Sequence, residues 1–368
     1  MNALQEFSPD ERARARAYHG PLYAALFGDL GLATGLLAAL AWSSLGHWLF
    51  SPARSLSPVA AAAAYAALVT ALSTAVRMPL ALWRGWWRER RWGFSTQSAG
   101  GWLVDRVKGL AVSLVLGAGA WTAAVALVRA LPGWWAPPAG AALALAVLLL
   151  SFVAPVVLEP LFNRFRPLED ETLAADLRLL SQRAGVPVRD VLVADASRRT
   201  TKVNGYVSGI GRTRRVVLFD TLLEATDPAG VQVVVAHELG HRRDRHVAKM
   251  TLLAMAGAAV AVAVLWAVLG TRVGRPRALP EALLLLFALE LAALPVSAWL
   301  SRRWERAADR CSLDLTRDPA AFARAHTGLA RRNLSDLEPP RLVYILLFSH
   351  PTPPERLALG TEWAAAHR

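Results

Sequence analysis

His237, Glu238 and His241 stand in the run His237-Glu238-Leu239-Gly240-His241, directly after the largely apolar stretch Val231 to Ala236. No proline interrupts it, so the pattern predicts one helix in spite of Gly240. Residues four apart on a helix differ by about 40° around the axis and about 6 Å along it, so both imidazoles project from one face and can share one ion. Zinc in a catalytic site takes three protein ligands and keeps a position for water, whose pKa falls to about 7. Glu238, beside the first imidazole, is placed to accept that proton. The chemistry expected is therefore that of a zinc metalloprotease with one zinc per chain.

Two histidines need a third ligand. The candidate lies far downstream in Arg303-Trp304-Glu305-Arg306-Ala307-Ala308-Asp309, where Glu305 can complete the set and Asp309, one turn later on the same face, can accept the free ring N–H of a ligating histidine. Glu281, Glu290 and Asp314 compete with Glu305, and Asp309 also reads as a surface charge between Arg306 and Arg310. Cys311 is a poorer donor here, since hydrolytic zinc sites prefer His and carboxylate. As the single cysteine it also excludes an intramolecular disulfide.

The elements that must hold these residues are mostly apolar. Of 368 residues 54% are hydrophobic and only 19% charged, which points away from an ordinary soluble enzyme. Mean hydropathy, at +0.32, agrees. Six segments reach the roughly 20 residues that a bilayer-spanning helix needs: about 22–49, 58–83, 108–131, 138–161, 249–270 and 280–300. Four precede the histidine pair and two follow it. The charged start of the chain has no signal-peptide pattern, so the first apolar run reads as a retained span. The net charge of +13 is assigned to an anionic membrane surface rather than to nucleic acid. Lys and Arg gather at the N-terminus, in 84–108, in 163–248 and in the C-terminal tail, which puts both termini and the site on the cytoplasmic side. Arg272, Arg275 and Arg277, in an outer connection, run against that orientation. Trp83, Trp86, Trp87 and Trp92 on one side, with Trp134 and Trp135 on the other, read equally as interfacial belts and as core.

Asp29 and Arg77 fall inside the first two spans and Glu290 inside the sixth, where an unpaired charge in lipid would cost several kcal/mol. They should face an aqueous cavity or one another, Asp29 and Arg77 pairing to lock two helices. Between the fourth and fifth spans the chain turns polar. A helix near 168–184, a strand at 191–193, and a hairpin of Lys202 to Ser208 with Arg215 to Phe219 around Gly209, Gly211 and a basic turn predict a small α+β domain. The expected organisation is an N-terminal membrane region over 1–162 with four spans, an α+β region with the histidine helix over 163–248, two spans over 249–300, and catalytic-domain helices over 301–368. No internal repeat is evident.

Further blocks occur in order along the chain: Arg90-Arg91-Trp92-Gly93-Phe94 with Gln97 and Asp105; Glu159-Pro160-Leu161-Phe162-Asn163-Arg164-Phe165 with Pro167-Leu168; Asn204-Gly205-Tyr206; and Val216 to Leu223. His246, the Glu305 block, and Ser349-His350-Pro351 with Glu355-Arg356-Leu357 complete them. In these blocks, over roughly residues 80–360, the chain resembles the type I CAAX prenyl protease family, membrane-embedded gluzincins with a HExxH helix and a later Glu ligand in an ExxxD pattern. The resemblance implies a mainly α, polytopic barrel around an intramembrane chamber, with the α+β zinc metalloprotease domain at its cytoplasmic mouth. It implies Glu305 as third ligand, and Asn204 and Tyr206 on a strand whose exposed edge aligns substrate. It implies His350 and Arg356 near the zinc, suited to the tetrahedral oxyanion or to a substrate carboxylate. Without it, His350 is a loop residue and Arg356 a solvated charge. His246 reads as structural rather than as a fourth ligand. The chain departs from the family in having six spans rather than seven, Ser95 for an asparagine, and Gly205 for an alanine, which bears on substrate fit and not on the zinc.

The function expected is that of an integral-membrane zinc endopeptidase acting on a peptide or protein, prenylated or not, in contact with membrane lipid. Its place is the plasma membrane of a bacterium or the endoplasmic reticulum of a eukaryote. C-terminal trimming of CAAX tripeptides and quality-control cleavage are the two candidate activities. An intramembrane site-two protease would put HExxH inside a span and use a late aspartate, for which the nearest sequence is Leu313-Asp314-Leu315. A catalytically idle membrane scaffold is opposed by the intact Glu238.

Overall fold

The computed structural model describes residues 3–153, 157, 159–209 and 214–367. Among these, six helices are long and apolar enough to cross a membrane: Pro9–Trp42, Pro58–Arg91, Ala99–Ala130, Ala136–Val153, His246–Gly274 and Pro276–Thr316. Their number and order are those the apolar runs predict. Several are longer than the spans, and the overhangs carry the polar work. The first helix starts at Pro9 rather than near residue 22, closed by a capping box in which Ser8 and Glu11 satisfy each other's backbone N–H groups. The last of these, the α-helix Leu279–Thr316, runs without a break from the sixth span into the Glu305 block. One rod thus joins the membrane to the candidate third ligand.

The first overhang binds the polar half of the molecule. Phe7 and Ala15 pack with Ala330, Leu337 and Leu357, and Tyr23 donates to Asp336 at 2.6 Å. Deeper, the Glu89 carboxylate accepts from the Tyr18 hydroxyl and, at 2.7 Å, from Lys202 Nζ. That cluster ties together the first helix, the end of the second, and the segment leading into the sheet.

Within the bundle a cavity of about 1430 Å³ is lined by Asp29, Arg77, Arg84, Asp105, Arg106 and Glu290 among others. Both alternatives for the charged span residues hold together: Arg77 grips Asp29 through two parallel bonds of 2.8 and 2.6 Å, and the pair still faces the cavity with Glu290. Away from the sheet domain the bundle closes on Leu40, Tyr65, Val125, Trp135 and Val262. The tryptophans divide in the same way, Trp134 being 77% exposed and its neighbour Trp135 2%. The basic 271–279 connection is partly neutralised, since Arg272 lies 3.6 Å from Glu281.

The sheet has four strands: β1 (Phe165–Pro167), β2 (Asp190–Ala194), β3 (Gly205–Ser208) and β4 (Arg215–Phe219), in the order β1-β2-β4-β3. The hairpin of β3 and β4 pairs Gly205 with Leu218 through Ser208 with Arg215, three residues shorter at its start than the β-like run suggests. Gly211 and the basic turn lie outside the described residues. The parallel pairing of β2 with β4 and the presence of β1 were not legible, because strand partners depend on chain crossings that no local pattern encodes. The helix Glu171–Arg183 and the histidine helix Pro228–Arg243 share a core with the sheet, built on Leu177, Val191, Val216, Leu218 and Leu239. β3 is left as an edge strand.

Replacing Glu89 by Ala should remove the acceptor shared by Tyr18 and Lys202 and lower stability by about 1–2 kcal/mol. Thermal unfolding of the purified protein in detergent should show a lower midpoint, while an unchanged midpoint would dismiss the cluster as a tie.

Candidate active site

The histidine helix begins on a cap, the Asp227 carboxylate accepting from Gly230 N–H at 2.8 Å with Pro228 in the first turn. It ends at Asp244, and after Arg245 in the left-handed region (φ 55°) the fifth span begins at His246. Both turns of HELGH therefore sit where the polar domain meets the spans. Gly240 explains how the ligand-bearing helices come close enough. A Cβ there would lie 2.9 Å from Cys311 Cβ and 3.1 Å from the Ala308 backbone, so a glycine is required at the contact of this helix with Leu279–Thr316.

That contact brings three donor atoms together. His237 Nε2 and His241 Nε2 are 3.1 Å apart, and Glu305 offers Oε2 at 3.3 Å from the first and Oε1 at 3.2 Å from the second. Ligands at about 2.0–2.1 Å on a tetrahedral ion stand about 3.3–3.4 Å from one another, so this spacing suits zinc with a fourth position open. The electrostatics also call for a cation. Burial pulls the His237 pKa down, but the carboxylates of Asp309 and Glu305 outweigh it and lift the imidazole to about 10. The donor set thus fits a metal ion.

Behind the three donors lies a set of orienting bonds. Since Nε2 faces the centre, His237 Nδ1–H donates to Asp309 Oδ1 at 2.8 Å, and His241 Nδ1–H donates to His246 Nδ1 at 3.0 Å. His246 is itself stacked on Trp304, with ring centroids 5.2 Å apart. Arg356 donates from Nη1 to Asp309 at 2.9 Å and from Nη2 to Glu305 at 2.7 Å. Its fork thus spans both carboxylates. Arg302 donates to the Tyr344 and Phe348 carbonyls at 3.0 and 2.6 Å and so holds the chain just before His350.

Two clefts meet at this centre. One of about 510 Å³ is lined by Asn204, Gly205, His237, Glu238, His350 and Arg356. The other, about 410 Å³, is lined by Glu238, His241, Glu305 and His350 together with Met250 and Ser301 of the last two spans. Glu238 and His350 border both. Burial raises the Glu238 carboxyl above its usual range, against the opposing pull of His237 and His241. His350 reaches in from the opposite wall, its Nε2 3.4 Å from Glu305 Oε1.

Of the residues singled out in the sequence, His237, His241, Glu305, Asp309, Glu238, His350, Arg356 and Asn204 converge here. Tyr206 lines neither cleft; its hydroxyl donates to Glu159 at 3.2 Å. The missing Cβ of Gly205 points at Leu218, Leu222 and Val234, each 3.4 Å away, so its difference from alanine concerns the core and not the cleft. Three contributors escaped sequence reasoning. Arg242, which grips the Val207 carbonyl, carried the signal of adjacency to His241. Arg302 and His326, the latter 3.9 Å from Asp309 and kept neutral by burial with a pKa near 3, carried none.

A barrel of spans with this centre at its mouth defines a membrane-embedded metallopeptidase, and comparison with known proteins bears that out. Residues 167–364 match the family described as Peptidase family M48, and residues 13–164 match the CAAX prenyl protease N-terminal region of five membrane helices. The chain belongs to peptidase family M48. It is 32% identical over 311 residues to the uncharacterized metalloprotease YhfN of Bacillus subtilis, an alignment spanning 79% of this chain and 71% of that one. To CAAX prenyl protease 1 of Saccharomyces cerevisiae it is 30% identical over 197 residues, 53% of this chain but only 44% of the yeast protein. The crystal structure of S. mikatae Ste24p has the same fold, with a TM-score of 0.86 and 24% identity over 96% of this chain and 90% of that one.

Gly240→Ala should force the two ligand-bearing helices apart. A loss of about 1–3 kcal/mol in stability, as overpacking commonly costs, should accompany weakened zinc retention on dialysis. Wild-type retention would refute the close-contact account of this glycine.

Proposed function

We propose that the chain is an integral-membrane zinc endopeptidase that takes a peptide along the edge of β3 and hydrolyses it with Glu238 as general base. The observation that carries this reading is the trio His237, His241 and Glu305 at tetrahedral spacing, with Glu238 on the wall of both adjoining clefts. When bound, zinc supplies a Lewis acid for the scissile carbonyl and for water. Glu238 accepts the proton of the attacking water and returns it to the leaving amine. Asp309 keeps His237 in the tautomer that presents Nε2. Arg356 acts as a positioning residue, its fork holding the carboxylates of Glu305 and Asp309. His350, on the facing wall, hydrogen-bonds the oxygen that gains charge in the tetrahedral state. Asn204 borders the path of the peptide, while the Tyr206 hydroxyl donates to Glu159.

The substrate proposed first is the C-terminus of a CAAX protein, in keeping with relatives that carry the name CAAX prenyl protease 1. Cleavage of unmodified membrane or misfolded protein is the second reading. It is favoured by the charged wall of the large cavity, which suits polypeptide better than an isoprenoid. The distribution of Lys and Arg supports a site that faces the cytoplasm.

Glu238→Gln should lower kcat on a peptide substrate by about 100-fold or more while zinc content stays at one per chain. Full activity in that variant would sink the mechanism. A zinc chelator should abolish cleavage by the wild type and added zinc restore it, and persistence of cleavage in the chelated protein would exclude metal hydrolysis. Running prenylated and unprenylated peptides side by side separates the two substrate classes.

A further inference from the structure

An edge strand that receives a peptide offers backbone groups at every second residue. Phe219 N–H donates to the Asn204 carbonyl at 3.0 Å, so Asn204, Tyr206 and Ser208 turn their backbone groups to β4. Val203, Gly205 and Val207 then face the open side, with carbonyls spaced by about 6.6–6.8 Å, the repeat at which a second strand donates its N–H groups. Two of the three carbonyls are already taken. Val207 O accepts from the Arg242 guanidinium, from Nε at 3.1 Å and from Nη2. Val203 O accepts from Asn333 Nδ2 at 3.1 Å, and Val203 N–H donates to Asn333 Oδ1 at 2.9 Å. The Asn333 amide thus fills the place of a peptide group of an added strand.

We propose that Arg242 and Asn333 are specificity-determining end stops that confine strand addition on β3 to one substrate N–H, received by the Gly205 carbonyl. The proposal rests on the reading that substrate binds as an added strand. Arg242 emerges one residue after the ligand His241 and its grip on β3 is charge-assisted, so a neutral peptide N–H does not displace it. Asn333, at the end of the helix Pro319–Asn333, makes two bonds to one residue, which a single peptide N–H cannot match. Between them lies Gly205, whose N–H is held by Asn204 Oδ1 at 2.9 Å so that its carbonyl is the group offered to a strand, and Val203, Gly205 and Glu238 line one cleft while Val207, Arg242 and Glu238 line the next. The window therefore lies alongside the general base. A peptide is read over a short stretch there, and its flanks leave the strand direction on either side.

The test uses the full-length protein in detergent and a cleavable peptide N-methylated at one backbone amide at a time, which deletes one donor per peptide. The readout is kcat/KM for each methylated peptide relative to its unmethylated parent, so that a general loss of activity cancels. In the wild type, methylation at one strand-donating amide should lower the ratio about 10-fold, and methylation two residues to either side should not. Arg242→Met frees the Val207 carbonyl and should create a second sensitive amide two residues to one side. Asn333→Leu should create one two residues to the other side. A wild type already sensitive at two or three amides spaced by two, or variants with unaltered profiles, would overturn the end stops while leaving strand addition standing. Insensitivity at every amide in all three proteins would remove strand addition itself, and the end stops with it.

Discussion

Glu305 and Asp309 sit one turn apart on the last long helix, 6% and 0% exposed, and two buried carboxylates need positive partners or they cost several kcal/mol each. The surroundings are arranged around that need. His237 donates to Asp309 from one ring nitrogen and turns the other toward Glu305, and Arg356 spans both carboxylates with one guanidinium. These partners come from two separate helices, so the demand for neutralisation also joins the histidine helix and the C-terminal helix Pro353–Ala366 to the rod that descends into the membrane. A zinc ion at the donor trio would complete the balance on its open side.

Packing makes this charge arrangement attainable. The approach of Gly240 to Ala308 and Cys311 sets the separation of the two helices, and a side chain larger than hydrogen would move Glu305 away from the imidazoles. The same economy of space governs the link to the spans. His246 starts the fifth span and also receives the Nδ1–H of His241, so the orientation of a candidate ligand depends on a residue that belongs to a membrane helix. The cavity between the spans, lined by Asp29, Arg77 and Glu290, is the polar counterpart of this junction. Charges that lipid would not tolerate line its wall.

Much of this was legible in the chain. The six spans follow from hydropathy because every backbone group of a membrane helix is satisfied within the segment, so length and composition suffice. The histidine pair follows from helical spacing. Glu305 was legible as one of several carboxylates, and only the collinear blocks of the resemblance separated it from Glu281, Glu290 and Asp314. Tyr206 shows the opposite limit: membership of the same short block as Asn204 did not tell that its hydroxyl would be bound to Glu159.

By itself the sequence determined what local physics controls: which segments suit a bilayer, which helix presents two imidazoles on one face, and which carboxylate stands beside them. Tertiary structure decided which distant groups would meet. Without its partners Arg356 reads as a solvated charge, and it is drawn to Glu305 and Asp309 because two buried carboxylates on another helix bind a guanidinium more strongly than solvent does. Asn333 likewise carries no signal of its own in the chain, and Arg242 carries only that of adjacency to His241. Their meaning arises where they meet the carbonyls of a strand edge, and no local pattern specifies such a meeting.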